Sequence, residues 1–354
     1  MKFVNMIKTI LLLYMFCMFC YATPNRLHLY IPNNYIADDT INRFEQNNNV
    51  KVVQNFFNEP EEMIAKIATV ASGYDVTIAT SYAVDALIKI HKIKMLDRNK
   101  IYNLKQINNL YLNQDYDPKN VYSVPYAFTP VLLGYNIEQM KRLGIVADSW
   151  KVLFEPKYLK LLKGHVTVLA SPRTVFAAAL LYLHKNPNTT NEKDIELAYE
   201  VIKNAMPYWT KFDSDNYYRG LMRGDIWLSM GYSEDFYKTI LDLSIANSTI
   251  KIDAQLQKEG NMSELDNLVI MESSKNDIIS YKFINEVLST QSQLELINTT
   301  GASIPGILDV TKLQSYRSWM YPKKVIVFKS YPPRTRSLID ELWVEITMTC
   351  KRYG

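Results

Sequence analysis

RLHLYI (Arg26–Ile31), VKVVQNFF (Val50–Phe57) and VTIA (Val76–Ala79), with a helical pattern in each gap, decide how this chain folds. Arg26–Ile31 alternates apolar and polar residues as a strand does, and Pro32-Asn33-Asn34-Tyr35 breaks it. Ile36 to Asn47 then places apolar residues at helical spacing. After the second strand, Pro60 opens a helix through Val70 with Met63, Ile64 and Ile67 on its buried face. Gly73-Tyr74-Asp75 leads into the third strand. A β-α-β-α-β order demands a parallel sheet with helices on its faces. Ligands of such sheets bind beyond the carboxyl ends of the strands. That nominates two polar turns as site loops, Asn33–Tyr35 and Thr80–Tyr82.

The pattern recurs downstream. Tyr122–Asn136 is extended and apolar, and Pro125 and Pro130 keep it from being helical. Strands are expected at Val166–Leu169, Asp225–Met230 and Asp266–Met271, and helices at Thr174–His184, Glu192–Lys203 and Asp277–Leu288. The amphipathic segment Thr335–Thr349 should pack on the outside as the last helix. The 354 residues suffice for two α/β lobes rather than one core.

Upstream, residues 1–22 have the proportions of a secretory leader: Lys2 and Lys8, an apolar run from Ile10 to Tyr21, and small Ala22 before Thr23 and Pro24. The run is shorter than the ~20 apolar residues a bilayer span needs. An uncleaved N-terminal anchor is the competing reading, and Phe19 before Cys20 disfavours a lipid attachment signal. Export to the periplasm follows as the expectation. Cys17 and Cys20 lie in the leader, and the remaining Cys350 can form neither an internal disulfide nor a metal site by itself.

The net charge of +4 includes Lys2 and Lys8, so the chain without its leader is near neutral. It has no basic run with interleaved aromatics, which argues against a nucleic-acid partner. Gly231-Tyr232-Ser233-Glu234-Asp235 begins like a nucleophile elbow but lacks the second glycine. The four histidines, His28, His91, His165 and His184, are not paired at metal-ligand spacing. These features point away from an exported hydrolase and toward a binding protein that uses no metal or cofactor.

Four stretches then carry a family resemblance: Leu29-Tyr30 with Tyr35; Tyr74-Asp75-Val76 with Ser81-Tyr82-Ala83-Val84-Asp85; Tyr122-Ser123-Val124-Pro125-Tyr126 ending in Gly134-Tyr135-Asn136; and Ser149-Trp150-x-x-Leu153-Phe154-x-Pro156-Lys157-Tyr158. Fainter matches occur at Phe212-x-Ser214-Asp215-Asn216, Lys258-Glu259-Gly260 and Asp266-Asn267-Leu268. In order and over nearly the whole chain beyond the leader, the sequence resembles the periplasmic spermidine/putrescine-binding proteins of bacterial ABC transporters. The resemblance implies a type II-like periplasmic-binding-protein fold, with two lobes of mainly parallel sheet flanked by helices. Hinge strands would join the lobes, and hinge motion would close them around a ligand. It places the first lobe at 23–132 plus 264–310 and the second at 133–263 plus 311–354, with the second crossing near Glu264. It also implies a monomer that hands a polyamine to a membrane permease without chemical change.

A polyamine site needs aromatic faces for its ammonium groups and carboxylates for its charged ends. Positions matching the family's ligand residues that keep this character are Tyr35, Thr80, Ser81, Tyr82, Tyr232 and above all Asp266, on the family's central carboxylate. Other positions depart from the pattern. Ser171 and Thr174 stand where the family has two acids, Glu264 replaces a tryptophan and can restore one charge, Ala302 replaces a second-lobe tyrosine, and Lys329 falls on a late polar position. Phe128 reads as cleft wall or core, whereas Trp150, Pro156 and Tyr158 read as structural. The departures keep other ligands open: an anion drawn by Lys329, ferric iron at the Tyr217-Tyr218 pair, or a degenerate binder acting as a sensor or surface protein.

Overall fold

The computed structural model describes residues 25–353 except 34, 58–59, 70–72, 303, 305, 308, 310–311, 313–315 and 323–324. The leader expected over 1–22 therefore lies outside the described residues, as do Asn34 and Val70 and the side chain of Cys350.

Ten strands form one continuous sheet among the described residues: β1 (Asn25–Pro32), β2 (Val50–Phe57), β3 (Val76–Thr80), β4 (Val124–Asn136), β5 (Val166–Val168), β6 (Lys211–Phe212), β7 (Leu228–Tyr232), β8 (Ile252–Gln255), β9 (Met262–Ile270) and β10 (Ile326–Val327). Their order is β2-β1-β3-β9-β4-β7-β5-β6, with β10 on β9 and β8 on β4. The β-α-β-α-β reading holds: β1 is parallel to both β2 and β3. At the other end β5 is parallel to β6 and β7. The strands that join these halves run antiparallel, β9 to β3 and β4, and β4 to β7 and β8.

Two large cores flank the join. One gathers residues of 27–128 and 265–307, and the other residues of 131–262 together with Ile297, Trp319, Met320, Phe328, Ile339 and Ile346. A smaller cluster lies under the helix Ser81–Lys89. Along β4 the side chains change core between Phe128 and Val131, and along β9 between Met262 and Leu265. The two changeovers lie side by side, because Thr129 pairs with Glu264 and Pro130 with Ser263. Proline has no N–H to give to a ladder, so it belongs where pairing is interrupted. Pro125 sits at the register shift between β4 and β9, and Pro130 where β4 leaves β9 and takes up β7.

Two sequence expectations are corrected here. Ser81 and Tyr82 are not turn residues, because the helix Ser81–Lys89 starts directly after β3 and buries Ala83, Val84 and Leu87. Asp266 does not open a strand. β9 begins four residues earlier, and the polar Ser263, Glu264, Asp266 and Asn267 hide its period because several face the cleft or the strand junction.

Candidate functional site

The junction of the two cores opens into a cavity of about 610 Å³, a size that suits a small molecule. Its wall combines the ends of β1, β3 and β7, the middle of β9, and the start of the helix Pro172–Tyr182. The strand ends turn polar side chains to the cleft between the two halves of the sheet, as expected of a switch point in an α/β fold.

Asp266 lies at the centre of one end. It is buried in β9 between Thr80 of β3 and Ala127 of β4, and its carboxylate accepts a hydrogen bond from the Tyr35 hydroxyl. Burial pushes the Asp266 carboxyl up from 3.8 to about 6, although the Tyr35 bond favours the charged form. The Tyr35 hydroxyl is itself held well above the ordinary phenol range, first by burial and then by the adjacent Asp266 charge. Tyr126 fixes this tyrosine from behind by donating to its backbone carbonyl at 2.9 Å. Thr80 lines the same end, and its buried hydroxyl has no hydrogen-bond partner among the described residues.

Tyr82, Tyr232 and Glu264 also line the cavity. The Tyr232 backbone N–H donates to the Tyr217 hydroxyl at 2.9 Å, which anchors the end of β7 that carries its ring. Ser81 is the exception among the expected site residues. Its side chain is fully buried, does not line the cavity, and donates to the Phe328 carbonyl at 2.7 Å. Phe128 is core, 4.7 Å from the Tyr111 ring centroid, and Ala302 is buried in the core built on residues 27–128 rather than facing the cleft from the second lobe. Trp150 is buried, with its indole N–H donating to the Gly260 carbonyl at 2.9 Å.

Ser171 and Thr174 pair with each other, their hydroxyls 2.9 Å apart, and Ser171 caps the helix Pro172–Tyr182 by accepting from the Thr174 backbone N–H. Lys329 reaches the cavity mouth but forms an ion pair with Asp115. Tyr217 is fully buried, with its hydroxyl donating to Asp235, and it does not line this cavity. Among the described residues no group of three or more His, Cys, Asp or Glu side chains is placed to hold a metal ion.

Two wall residues escaped the sequence reading. Glu234 opens the helix Ser233–Ile245 and lines the cavity close enough to Asp266 to feel its charge. Burial, and then the neighbouring Asp235, pushes its carboxyl well above the ordinary range. The adjacent acids after strand β7 were the available signal. The second is Arg173, in the first turn of the helix Pro172–Tyr182. The positive end of a helix dipole is an unfavourable place for a cation, and that mismatch was its signal. Carboxylates outnumber cations on the cavity wall: Asp215, Glu234, Glu264, Asp266 and Asp340 against Arg173, Lys329 and Arg336.

Comparison with known proteins agrees with this geometry. Residues 39–323 match the family described as bacterial extracellular solute-binding protein. The chain is 37% identical over 335 residues to a putrescine/cadaverine-binding protein of Pseudomonas aeruginosa, covering 92% of this chain and 95% of the relative. A spermidine/putrescine-binding periplasmic protein of Escherichia coli is 29% identical, over 80% of this chain and 78% of its own. Among solved structures, the TpPotD lipoprotein of Treponema pallidum superposes with a TM-score of 0.80 at 24% identity, covering 91% of this chain and 99% of the other. The spermidine/putrescine ABC transporter substrate-binding protein of Streptococcus pneumoniae does so with a TM-score of 0.79 at 20% identity, covering 92% and 99%. These likenesses give the fold as the two-lobe periplasmic-binding-protein fold. With the family match spanning most of its length, the chain belongs to the bacterial extracellular solute-binding proteins.

Proposed function

We propose that this protein captures a polyamine between its lobes and delivers it to the membrane permease of an ABC transporter. The observation that carries the reading is the cluster of Asp266, Glu234 and Glu264 beside Tyr35, Tyr82 and Tyr232 in one cavity. Asp266 and Glu234, whose proton affinity burial raises, are costly to keep ionised in an empty site and favour a ligand that brings positive charge. The aromatic faces suit ammonium and methylene groups alike. The names of the relatives, putrescine- and spermidine-binding proteins, support the same ligand class.

The lobes divide at 132/133 and 263/264, with the closing residues 311–354 assigned to the second lobe. The change of core beside the Thr129–Glu264 pair supports a hinge at that place. Glu264 then sits on the hinge itself, where closure brings it to the ligand. The protein acts outside the cytoplasmic membrane, as a monomer, after its leader 1–22 has directed export. Among the described residues no helix is long and apolar enough to cross a membrane.

A thermal-shift titration against putrescine, spermidine, small anions and ferric iron tests the proposal, because a ligand that binds only the folded state raises the melting temperature with concentration. Stabilisation by an amine is the expected result. Stabilisation by an anion or by iron, with none by amines, would overturn the ligand and leave the fold.

A further inference from the structure

The cavity wall carries both signs of charge. Asp266 and Glu234 stand close to Tyr35, whereas the lining residues close enough to act on Arg173 are Tyr331, Glu264 and Tyr82. Arg173 is held rather than free. Nη1 donates to the Pro187 carbonyl at 2.8 Å and to the Tyr331 hydroxyl, and Nη2 donates to the Asn188 side-chain oxygen and, at 3.4 Å, to the Lys329 carbonyl. Its guanidinium lies 3.9 Å over the Tyr331 ring centroid and 4.4 Å over that of Phe328. All of these partners are neutral, so the described contacts leave its charge without an ion pair. Ser171 and Thr174, the neighbours that could have supplied acids, are bonded to each other.

Two readings of such a cation compete. A clamp for a ligand carboxylate offers two parallel N–H groups, and here both terminal nitrogens are already committed to protein oxygens. What remains is a fixed positive field in a partly dry cleft, and that field acts on ligand ammonium groups at short range.

We propose that Arg173 is a cationic stop that sets how many charges the ligand carries: the site admits an α,ω-diamine and rejects a third ammonium. The proposal rests on the polyamine reading and narrows it to diamines. Both ammonium groups of a short diamine stay among Asp266, Glu234 and Glu264. A triamine adds a third positive charge to the same cavity, whose wall already holds the Arg173 charge.

Calorimetric titration of the full chain with 1,4-diaminobutane, spermidine and spermidine acetylated on its aminopropyl nitrogen tests this. The acetylated compound keeps the butane-diamine charge pair and neutralises the third nitrogen without shortening the chain. The diamine is expected to bind at least tenfold tighter than spermidine, and acetylation to recover at least threefold of the loss. The Arg173→Met variant, which keeps an apolar stem on Phe328 and Tyr331, is expected to narrow the diamine-to-spermidine ratio at least threefold. Spermidine binding as tightly as the diamine overturns the proposal, as does an acetylated compound no better than spermidine. Equal losses for both amines in Arg173→Met also overturn it, and so does tighter binding of 4-aminobutanoate than of the diamine. In those first three cases amine binding stands and only the stop falls; no amine bound by the wild type overturns both.

Discussion

Asp266→Asn should make the empty protein more stable and a worse binder at once. The Asp266 carboxyl titrates near 6 in the folded protein against 3.8 ordinarily, a rise of roughly 2 pKa units, and each unit is about 1.36 kcal/mol. A raised acid binds its proton more tightly in the folded than in the unfolded chain. Folding stability from this residue is therefore present at low pH and lost as pH rises from about 4 through about 6. At pH 7.5 the ionised side chain costs the empty protein about 3 kcal/mol relative to a neutral one, an upper figure because Asn accepts the Tyr35 hydroxyl less well than a carboxylate does. Asn carries no charge at any pH, so the variant should melt above the wild type at pH 7.5 and level with it at pH 4. The same substitution removes a charge-assisted bond to an ammonium, and amine affinity should fall at least tenfold, about 1.4 kcal/mol. Thermal melts at the two pH values and calorimetric titration with putrescine at pH 7.5 measure both halves. A variant that melts below the wild type at pH 7.5, or that binds putrescine within threefold of it, would refute the reasoning.

The other predictions share that logic. An amine needs Asp266 charged, so wild-type affinity should fall about tenfold between pH 7 and pH 5, and should lose most of that dependence in Asp266→Asn. Tyr35→Phe removes the hydrogen bond that favours the charged form, so the midpoint of pH-dependent binding should move upward from about 6; a titration series over pH 5–8 that finds no movement removes Tyr35 from the site. Glu234→Gln should weaken diamine binding about tenfold with an unchanged far-ultraviolet spectrum, since only one charge is deleted from an intact helix start. Gly301 has φ +84, and a Cβ there would stand 2.5 Å from the Glu234 carbonyl oxygen, so Gly301→Ala should lower stability by more than about 1 kcal/mol and displace the acid from the ligand. Melting and putrescine titration of that variant should both change.

The outer parts of the fold were plain in the sequence because they state their own period: Arg26–Ile31 alternates, and the helix Asp38–Asn48 that follows carries a single apolar face. Tyr35 and Asp266 could be paired in advance only through the family resemblance, since 231 positions separate them and no local pattern records that β9 slots in beside β3. Ser81 went astray for a physical reason. A hydroxyl at a helix start reads the same whether it faces a ligand or, as here, a carbonyl across a strand junction. Glu234 and Arg173 were missed because charge on a helix's first turn is ordinarily solvated. Only the meeting of two lobes makes these positions a wall, and that meeting is a property of packing rather than of any one segment.

The placement of β9 has a consequence in time. It is the central strand, between β3 and β4, yet it is made long after both, and Val76 meets Ile270 only by closing a loop of about 190 residues. While the chain is being synthesised, β3 and β4 wait with unpaired edges until about three-quarters of the sequence has emerged. A sheet completed by its middle strand is slow to form and cannot lock early. Under the export proposed above, in which the chain crosses the membrane before it works, delay written into strand order is protection against folding on the wrong side.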